Sequence, residues 1–310
     1  MLRYVLIRLV GLAGVLLVVS IVTFLLMHSI PGGPFDEGQM PLSEETRAAI
    51  ARKYNLDKPL HEQYLSYMGA ALRLDFGIPF QSPGETVTEL IGRTWLVTAH
   101  LGMMTIALAI IVGLPLGIIA GVKQNTWIDY LATVFSLFGF ITPHFVIAIG
   151  LILVFSNVLG WLPTGGWDEP RQWIMPTLAY AAAPSAIIAR FTRASVVEVI
   201  NADFVRTARA KGLGEPAVLL GHVLKNALIP MLTIAGPLVA DLVTGSFFVE
   251  TIFRVPGLGK YFTTSIFGRD YPMIMACTLL WAALIAFAFL ITDILYSVVD
   301  PRITLGREKT

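Results

Sequence analysis

Charge and cysteine are both scarce in this 310-residue sequence. Only 14% of its residues are charged and 55% are hydrophobic, with a mean hydropathy of +0.73. This composition excludes an ordinary soluble domain. The single cysteine, Cys277, lies in an apolar run, so no intrachain disulfide can form and a secreted disulfide scaffold is excluded. The net charge of +1 gives no indication of a nucleic-acid partner, and none is expected.

Signatures of catalysis are missing as well. The HE pair at 61–62 begins like an HExxH zinc motif, but Leu65 occupies the position of the second histidine. The run GLGK at 257–260 resembles half of a phosphate-binding loop, but Arg254 replaces the first glycine and Tyr261 the final Ser/Thr. No G-x-S-x-G motif or paired-carboxylate spacing is present. We therefore expect neither an enzyme nor a chain that binds a metal or cofactor itself.

Long apolar runs dominate the sequence instead. A helix needs about 20 apolar residues to span the hydrocarbon core of a membrane. Six segments meet this requirement, the fourth least clearly because Pro176 and Pro184 interrupt it. They are Leu9–Met27, Val97–Val122, about 131–155, Gln172–Ala189, Asn226–Val249 and Tyr271–Val299. The sequence thus predicts an all-α, polytopic membrane protein with six transmembrane helices.

The first span is predicted to be a retained anchor. It is long for the apolar part of a signal peptide, and no A-x-A cleavage site precedes Ile30-Pro31. Lys and Arg residues of the short loops concentrate on the side that holds the N-terminus, which places both termini in the cytoplasm. We expect a multi-pass protein of the cytoplasmic (inner) membrane, in contact with lipid.

The spans divide the chain into four predicted parts. Residues 1–29 form the first transmembrane helix and 30–93 an extracytoplasmic helical segment, with one helix in Pro41–Asn55 and a second that starts at Asp57-Lys58-Pro59. Residues 94–299 form a five-helix transmembrane domain that contains a large cytoplasmic loop, 190–226. Residues 300–310 form a cytoplasmic tail.

That cytoplasmic loop carries the polar stretch NADFVRTARAKGLGEP, residues 201–216. Its surroundings predict one helix over Ser195–Lys211, because Ser195 and Glu198 have the spacing of a capping box and an apolar stripe follows. Asp203 can pair with Arg206 three residues later. Gly212 is predicted to end the helix. The small residues Ala208, Ala210 and Gly212 leave room for a partner surface.

Two further features suggest function at membrane depth. Pro256, Gly257 and Gly259 break a helix just outside the fifth span, and irregular backbone there must be buried or line a cavity. We assign these residues and Glu250 to an outer gate segment. Asp241 is an ionisable residue inside the fifth span, and such residues usually face a bundle interior or a water path. It is a candidate for lining a cavity.

The polar stretch and several other motifs resemble one known family. DFVRTARAKGL followed by KNALIP is similar to the cytoplasmic loop of membrane subunits of bacterial ABC importers. The remaining matches occur along the whole chain, and they are IPGGPF (30–35), KYNLDKPLHEQYLSYM (53–68), LDFGIPF (74–80), KQNTWIDY (123–130), WLPTGGW (161–167), ETIFRVPGLG (250–259), RDYP (269–272) and DILYSVVDPRI (293–303). Within that class the chain resembles B-type subunits of the oligopeptide/dipeptide permease family. Its WLPTGGW motif is more similar to oligopeptide members.

The resemblance implies the transmembrane-domain architecture of type I ABC importers and a role in peptide import. It implies that the polar helix couples to cytoplasmic ATPase subunits through a defined set of residues, Asp203, Arg206, Ala208, Arg209, Ala210, Lys211 and Gly212. The implied partners are a second, C-type permease subunit, two ATPase domains that bind ATP and Mg²⁺, and an extracytoplasmic substrate-binding protein. Arg206-Thr207-Ala208 stands where the family's Glu-Ala-Ala would fall.

Two alternatives remain open from the sequence. An ion-coupled secondary transporter would use Asp241 and Asp293 as relays, but the inverted repeat that would support it is not visible. An importer of the same family for nickel, glutathione or oligosaccharide is the other alternative, because selectivity in this group depends largely on the binding protein.

Overall fold

A computed structural model describes residues 2–30, 56–82 and 84–299 of the chain. Within these residues the secondary structure is entirely helical, in agreement with the predicted class. The helix predicted in Pro41–Asn55 and the tail 300–310 lie outside the described residues. The helices, in chain order, are α1 (Leu2–Ser29), α2 (Leu60–Ala71), α3 (Val87–Val122), α4 (Trp127–Ile141), α5 (His144–Leu151), α6 (Pro170–Ile200), α7 (Asp203–Ala210), α8 (Glu215–Val218), α9 (Lys225–Ala227), α10 (Met231–Thr244), α11 (Phe247–Ile252), α12 (Leu258–Phe267) and α13 (Tyr271–Val299). Wider π-helical turns extend α5 over Ile152–Val158 and join α8 to α9 over Leu219–Leu224.

The predicted membrane spans correspond to these helices, with two corrections. Five segments of the described chain are long and apolar enough to cross a membrane, and a sixth arises if the bent pair α4 and α5 counts as one span. The single helix predicted over about 131–155 is wrong, because α4 and α5 meet at an angle of 103°. Thr142 precedes Pro143 and is extended there (ψ 122°), since the proline ring excludes the helical conformation from the residue before it. The fifth span is also interrupted, at Gly245-Ser246.

The fourth span is continuous although prolines were expected to interrupt it. Its interior contains Pro176 and Pro184, yet α6 runs without interruption from Pro170 to Ile200. Both prolines are buried, so neighbouring groups surround the backbone positions that lose a hydrogen bond. The helix is therefore longer than the sequence predicted, and it extends to the edge of the polar stretch.

The described residues divide into two compact units. One contains Thr98–Pro256 with the described residues from Phe287 onward, and the other contains the described residues of Leu2–Val97 with Gly257–Ala286. In the second unit, Cys277 is fully buried in an apolar cluster with Val87 and Leu258. There the buried carboxylate of Asp270 accepts hydrogen bonds from the backbone N–H groups of Gln81 (2.9 Å) and Met273 (3.3 Å), which ties the 80–81 loop to the start of α13.

In the first unit, a stripe of glycines brings α3 against α6. Gly113, Gly117 and Gly121 lie four residues apart on one face of α3. A Cβ atom added at any of them would come within 2.5–2.7 Å of atoms in α6, namely those of Ser185, Ala189 and Val196. Small residues at this spacing let membrane helices approach closely and gain dispersion contacts. The stripe therefore fixes the register of α6.

An ion pair between a partly exposed arginine and a buried aspartate joins α6 to α4 in the same unit. Arg193 donates two hydrogen bonds to Asp129, from Nε to Oδ1 (2.5 Å) and from Nη2 to Oδ2 (2.7 Å). The backbone N–H of Asn125 donates a third, at 2.9 Å. Asp129 is only 2% exposed, so its charge depends on these donors. The parallel two-bond geometry holds the two helices at a fixed separation.

Candidate functional site

The polar stretch folds as a short helix set off from α6. The chain leaves α6 at Asn201, and Ala202 takes an extended conformation (φ −69°, ψ 150°) before α7 starts at Asp203. The predicted single helix over Ser195–Lys211 is therefore wrong. Ser195 is buried inside α6 and caps nothing. The spacing of Ser195 and Glu198 indicates a helix start only where the preceding residues are not already helical, and here they belong to a long membrane helix.

One side of α7 packs into an apolar cluster. Its Val205 and Ala208 side chains are buried against Val196 of α6, Val218 of α8 and Val223 of the π-helical turn. The apolar stripe predicted for this stretch included Phe204, which is exposed; Val205 and Ala208 instead form the buried side of α7, which is directed towards α6. Ala208 belongs to this interior contact, so it does not contribute to the exposed face.

The opposite side of α7 is open. Phe204 is 46% exposed, and Leu213 and Leu220 nearby are exposed as well. Six of the seven residues predicted for coupling lie on this exposed side, and they are Asp203, Arg206, Arg209, Ala210, Lys211 and Gly212. Basic groups interspersed with exposed apolar side chains form a surface suited to a protein partner.

Two ion pairs order the charges on this surface. Arg206 Nη1 lies 3.5 Å from Asp203 Oδ1, which is the predicted pairing across one helical turn. Arg209 instead donates to Glu215, from Nε at 2.7 Å and from Nη2 at 3.2 Å. These hydrogen bonds raise the pKa of Arg209 and lower the pKa of the Glu215 carboxyl. Arg209 thus links the end of α7 to the start of α8.

Gly212 ends the helix as predicted. Its φ is +83°, in the left-handed region that glycine adopts without steric cost. The Gly212 N–H donates to the carbonyl of Arg209 (2.9 Å), and the Leu213 N–H donates to the carbonyl of Ala208 (3.4 Å). This pair of bonds is a Schellman motif, which satisfies the last carbonyls of the helix. A Cβ at Gly212 would meet no atom within 4 Å.

The predicted gate segment starts from a buried carboxylate. Glu250, in α11, is fully buried and accepts a hydrogen bond from the hydroxyl of Thr98 in α3 (3.0 Å). Gly245 lies beside them with φ +92°, and a Cβ there would fall 2.5 Å from Glu250 Oε1. The break between α10 and α11 is therefore built around Glu250. The sequence identified Glu250 but not Thr98 or Gly245.

The rest of the gate segment lies partly in each unit. In the first unit, Pro256 is exposed, and the carbonyl of Phe253 accepts from the Gly166 N–H of the WLPTGGW loop (2.8 Å). In the second unit, Gly257 precedes α12 and Gly259 belongs to its first turn, both buried. The regular helix α12 begins where the sequence predicted an irregular loop.

Asp241 lies in the last turn of α10, on an exposed face. Its backbone carbonyl accepts hydrogen bonds from the hydroxyls of Tyr180 (3.2 Å) and Thr244 (2.7 Å). The edge of the His144 ring contacts Tyr180, with 5.6 Å between the ring centroids. Within the described part of the chain, the Asp241 carboxylate takes part in no hydrogen bond or ion pair. That it lines a cavity stays a prediction.

Comparison with known proteins assigns this arrangement to a family. Residues 113–305 match the model of the binding-protein-dependent transport system inner membrane component, and residues 1–99 match that of its N-terminal part. The chain belongs to this family. Two relatives match nearly the whole chain. The Bacillus subtilis dipeptide transport system permease protein DppB is 40% identical, covering 99% of this chain and 100% of its own length. The Salmonella typhimurium oligopeptide transport system permease protein OppB is 39% identical, covering 98% and 99%.

Solved structures identify the same fold. A structure of the MetNI methionine ABC transporter in an inward-facing conformation covers 68% of this chain and 96% of its own, with a TM-score of 0.58 and 19% identity. The structure of an amino acid ABC transporter with histidines covers 68% and 94%, with a TM-score of 0.54 and 15% identity. The chain is thus a multi-pass inner membrane component with the fold of ABC importer membrane subunits, and it is not an enzyme.

The polar helix, the gate segment and Asp241 all lie within the part matched by the main family model. The sequence did not identify three contacts that organise them, namely Arg209–Glu215, Thr98–Glu250 and Arg193–Asp129. Arg209 and Glu215 stand six residues apart on either side of Gly212, so a search for opposite charges across the predicted helix end would have found them. The other two contacts join residues 152 and 64 positions apart, and no local spacing indicates them.

Proposed function

We propose that this chain is a membrane-spanning subunit of an ATP-driven ABC importer for peptides. It forms part of the translocation path and receives the motion of the ATPase through α7. Relatives named for dipeptide and for oligopeptide transport match almost equally well, so the proposal covers both peptide lengths. The observation that carries it is the placement of α7, which is open on one side and packed on the apolar cluster on the other.

The contacts behind α7 explain how motion at this helix would reach the membrane. Val205 and Ala208 pack against Val196 of α6. In turn α6 is joined to α4 by the Arg193–Asp129 pair and to α3 by the glycine stripe. Packed interiors transmit displacement with little compression. A push on the exposed face of α7 therefore moves α6 together with two other membrane helices.

The partners follow from this role. Two ATPase domains would carry ATP and Mg²⁺, a second homologous permease subunit of C-type would complete the path, and an extracytoplasmic binding protein would deliver the peptide. The described part of this chain contains no group of His, Cys, Asp and Glu side chains arranged to hold a metal ion. The exposed basic and apolar groups around α7 are suited to an ATPase surface with an acidic rim.

The orientation belongs to the same proposal. With both termini in the cytoplasm, α7 and the loop that carries it face the ATPase domains. The concentration of Lys and Arg on this side of the short loops supports that placement.

The alternatives are weaker. An ion-coupled carrier has no support in the family match, and its candidate relay Asp241 forms no salt bridge within the described residues. Import of nickel, glutathione or oligosaccharide by the same machinery would leave the role of α7 unchanged. It would alter only the substrate.

The decisive experiment reverses one charge on α7. Arg206→Glu should reduce both co-purification of the ATPase subunits and peptide uptake by about tenfold or more, because a like charge would face the acidic rim. Arg93→Glu is a matched control. Arg93 is also an exposed arginine that pairs with a carboxylate, Glu85, at 3.1 Å.

We expect Arg93→Glu to keep both quantities within about twofold of the wild-type importer, as surface charge pairs contribute little to stability. Equal behaviour of the two variants would contradict coupling through α7. Because the ATPase is cytoplasmic, the same result tests the orientation. Substrate uptake by purified protein without any ATPase subunit would instead support the ion-coupled carrier.

A further inference from the structure

One face of α10 differs from the exposed face of α1. The exposed residues Thr233, Pro237 and Asp241 recur every four positions and form a single stripe. Ala240 and Leu242, on either side of Asp241, are buried. The stripe is therefore a defined face of α10, with a carboxylate near the middle of the span Thr233–Ile252.

This stripe is not suited to contact with lipid. The exposed residues of α1 in the membrane, for example Val10, Val18 and Leu25, are large and apolar, as a lipid-facing surface requires. The stripe on α10 instead combines a hydroxyl group, a proline and a carboxylate. An aspartate at the bilayer centre costs about 2.5–3.5 kcal/mol when it faces lipid, so such residues face water or another polar group.

The surroundings of Asp241 hold its position and leave its carboxylate available. Tyr180 and Thr244 both donate to its backbone carbonyl, which fixes this turn of α10. The carboxylate itself is exposed and bonds to no described residue. No lysine or arginine among the described residues pairs with it.

Aromatic groups lie on the segments around Tyr180. His144 contacts Tyr180 edge to face, and the next residue, Phe145, is exposed with its ring 5.8 Å from that of exposed Phe248. A carboxylate without a cationic partner binds ammonium and guanidinium groups through charge-assisted hydrogen bonds. Neutral peptide side chains gain little from such a carboxylate.

We infer that Asp241 is a specificity-determining residue, which binds the cationic side chain of a lysine- or arginine-containing peptide during its passage. The inference rests on the proposed function, because it requires α10 to face the translocation path for peptides. It adds a selectivity that originates in the membrane subunit rather than in the binding protein.

The test compares two peptides that differ in one charge. The complete importer, with its wild-type binding protein, is reconstituted in liposomes, and ATP-driven uptake of Ala-Lys-Ala and Ala-Gln-Ala is measured. Asp241→Asn should lower the Lys/Gln uptake ratio by about tenfold, which corresponds to about 1.4 kcal/mol. Asp241→Glu keeps the charge and should retain most of the ratio.

The control is Asp57→Asn, which removes an exposed carboxylate that precedes α2 and should leave the ratio unchanged. An unaltered ratio in Asp241→Asn would overturn the inference. The inference would also be overturned if uptake of both peptides fell equally and the second permease subunit no longer co-purified. Asp241 would then be an interface residue. Uptake of neither peptide by the wild-type importer would refute the proposed function itself.

Discussion

Gly212 and Gly245 each end a helix with a positive φ, in very different surroundings. Their φ angles are +83° and +92°. An added Cβ at Gly212, after α7, would meet no atom within 4 Å. At Gly245, after α10, it would fall on the Thr98 side chain and on the carboxylate of Glu250. One helix end is limited only by backbone strain, and the other is limited by strain and by packing.

The charges near the two glycines differ in the same way. Beside Gly212, the Arg209–Glu215 pair is exposed to solvent, and exposed pairs contribute little to stability. Beside Gly245, Glu250 is fully buried, and removal of its donors would leave a carboxylate without compensation. We conclude that the loop end can tolerate movement against a partner, whereas the membrane end is fixed by the fold.

The largest expected effect follows from alanine at each glycine. Gly245→Ala should destabilise the importer by backbone strain of about 1–3 kcal/mol, because its φ of 92° and ψ of 171° lie in a region used almost only by glycine, plus a packing penalty of about 1–3 kcal/mol. Gly212→Ala should lose stability through backbone strain alone, without a packing penalty. The measurement is the thermal unfolding midpoint of each variant in detergent, in the assembled importer.

Uptake separates the two positions further. Gly245→Ala should lower uptake in proportion to the amount of folded importer, whereas Gly212→Ala should retain the folded importer and lose ATPase co-purification. Identical losses of stability at the two glycines would show that the crowding at Gly245 relaxes without cost. The contrast between the two helix ends would then be wrong.

An intermediate effect is expected from the Arg209–Glu215 pair. Arg209→Glu places two carboxylates together and should loosen the link between α7 and α8, with reduced uptake. The exchange Arg209→Glu with Glu215→Arg restores an opposite pair at the same positions. If Arg209 acts through Glu215, the double variant should recover most of the wild-type uptake.

The control for this exchange is Glu215→Arg alone, which should resemble Arg209→Glu. Failure of the double variant to recover, with the chain folded and assembled, would mean that Arg209 contacts the ATPase directly. The family resemblance implies that Arg206 and Arg209 both couple to the ATPase. The structure shows that Arg209 already has an internal partner, so the exchange decides between these two roles.

Much of the membrane architecture was predictable because it depends on the length of apolar runs. The spans at α1, α3, α6 and α13 all correspond to such runs. The bend before α5 was missed although Pro143 signals it, since proline excludes the residue before it from a helix. The π-helical turns after α5 and α8 have no sequence signal comparable to proline.

The candidate site was predictable where its contacts are local. The end of α7 at Gly212 and the pairing of Asp203 with Arg206 follow from helix spacing. The capping box at Ser195 failed because burial in a longer helix overrides a local motif. Thr98–Glu250 depends on packing between distant segments, and a single sequence does not contain that information.

The smallest expected effect concerns pH and the exposed pair. The hydrogen bonds from Arg209 lower the pKa of Glu215 in the folded loop relative to the unfolded chain. The pair therefore stabilises the loop above the ordinary pKa of a glutamate, and this contribution is lost as the pH falls through the lowered value. Hydrogen-exchange protection of the Gly212 and Leu213 amides, which close the end of α7, should fall over that acidic range. Glu215→Gln should show weaker protection at neutral pH and no such decline. A decline of equal size in both proteins would assign the pH dependence to another group and leave the pair without a role in holding the helix end.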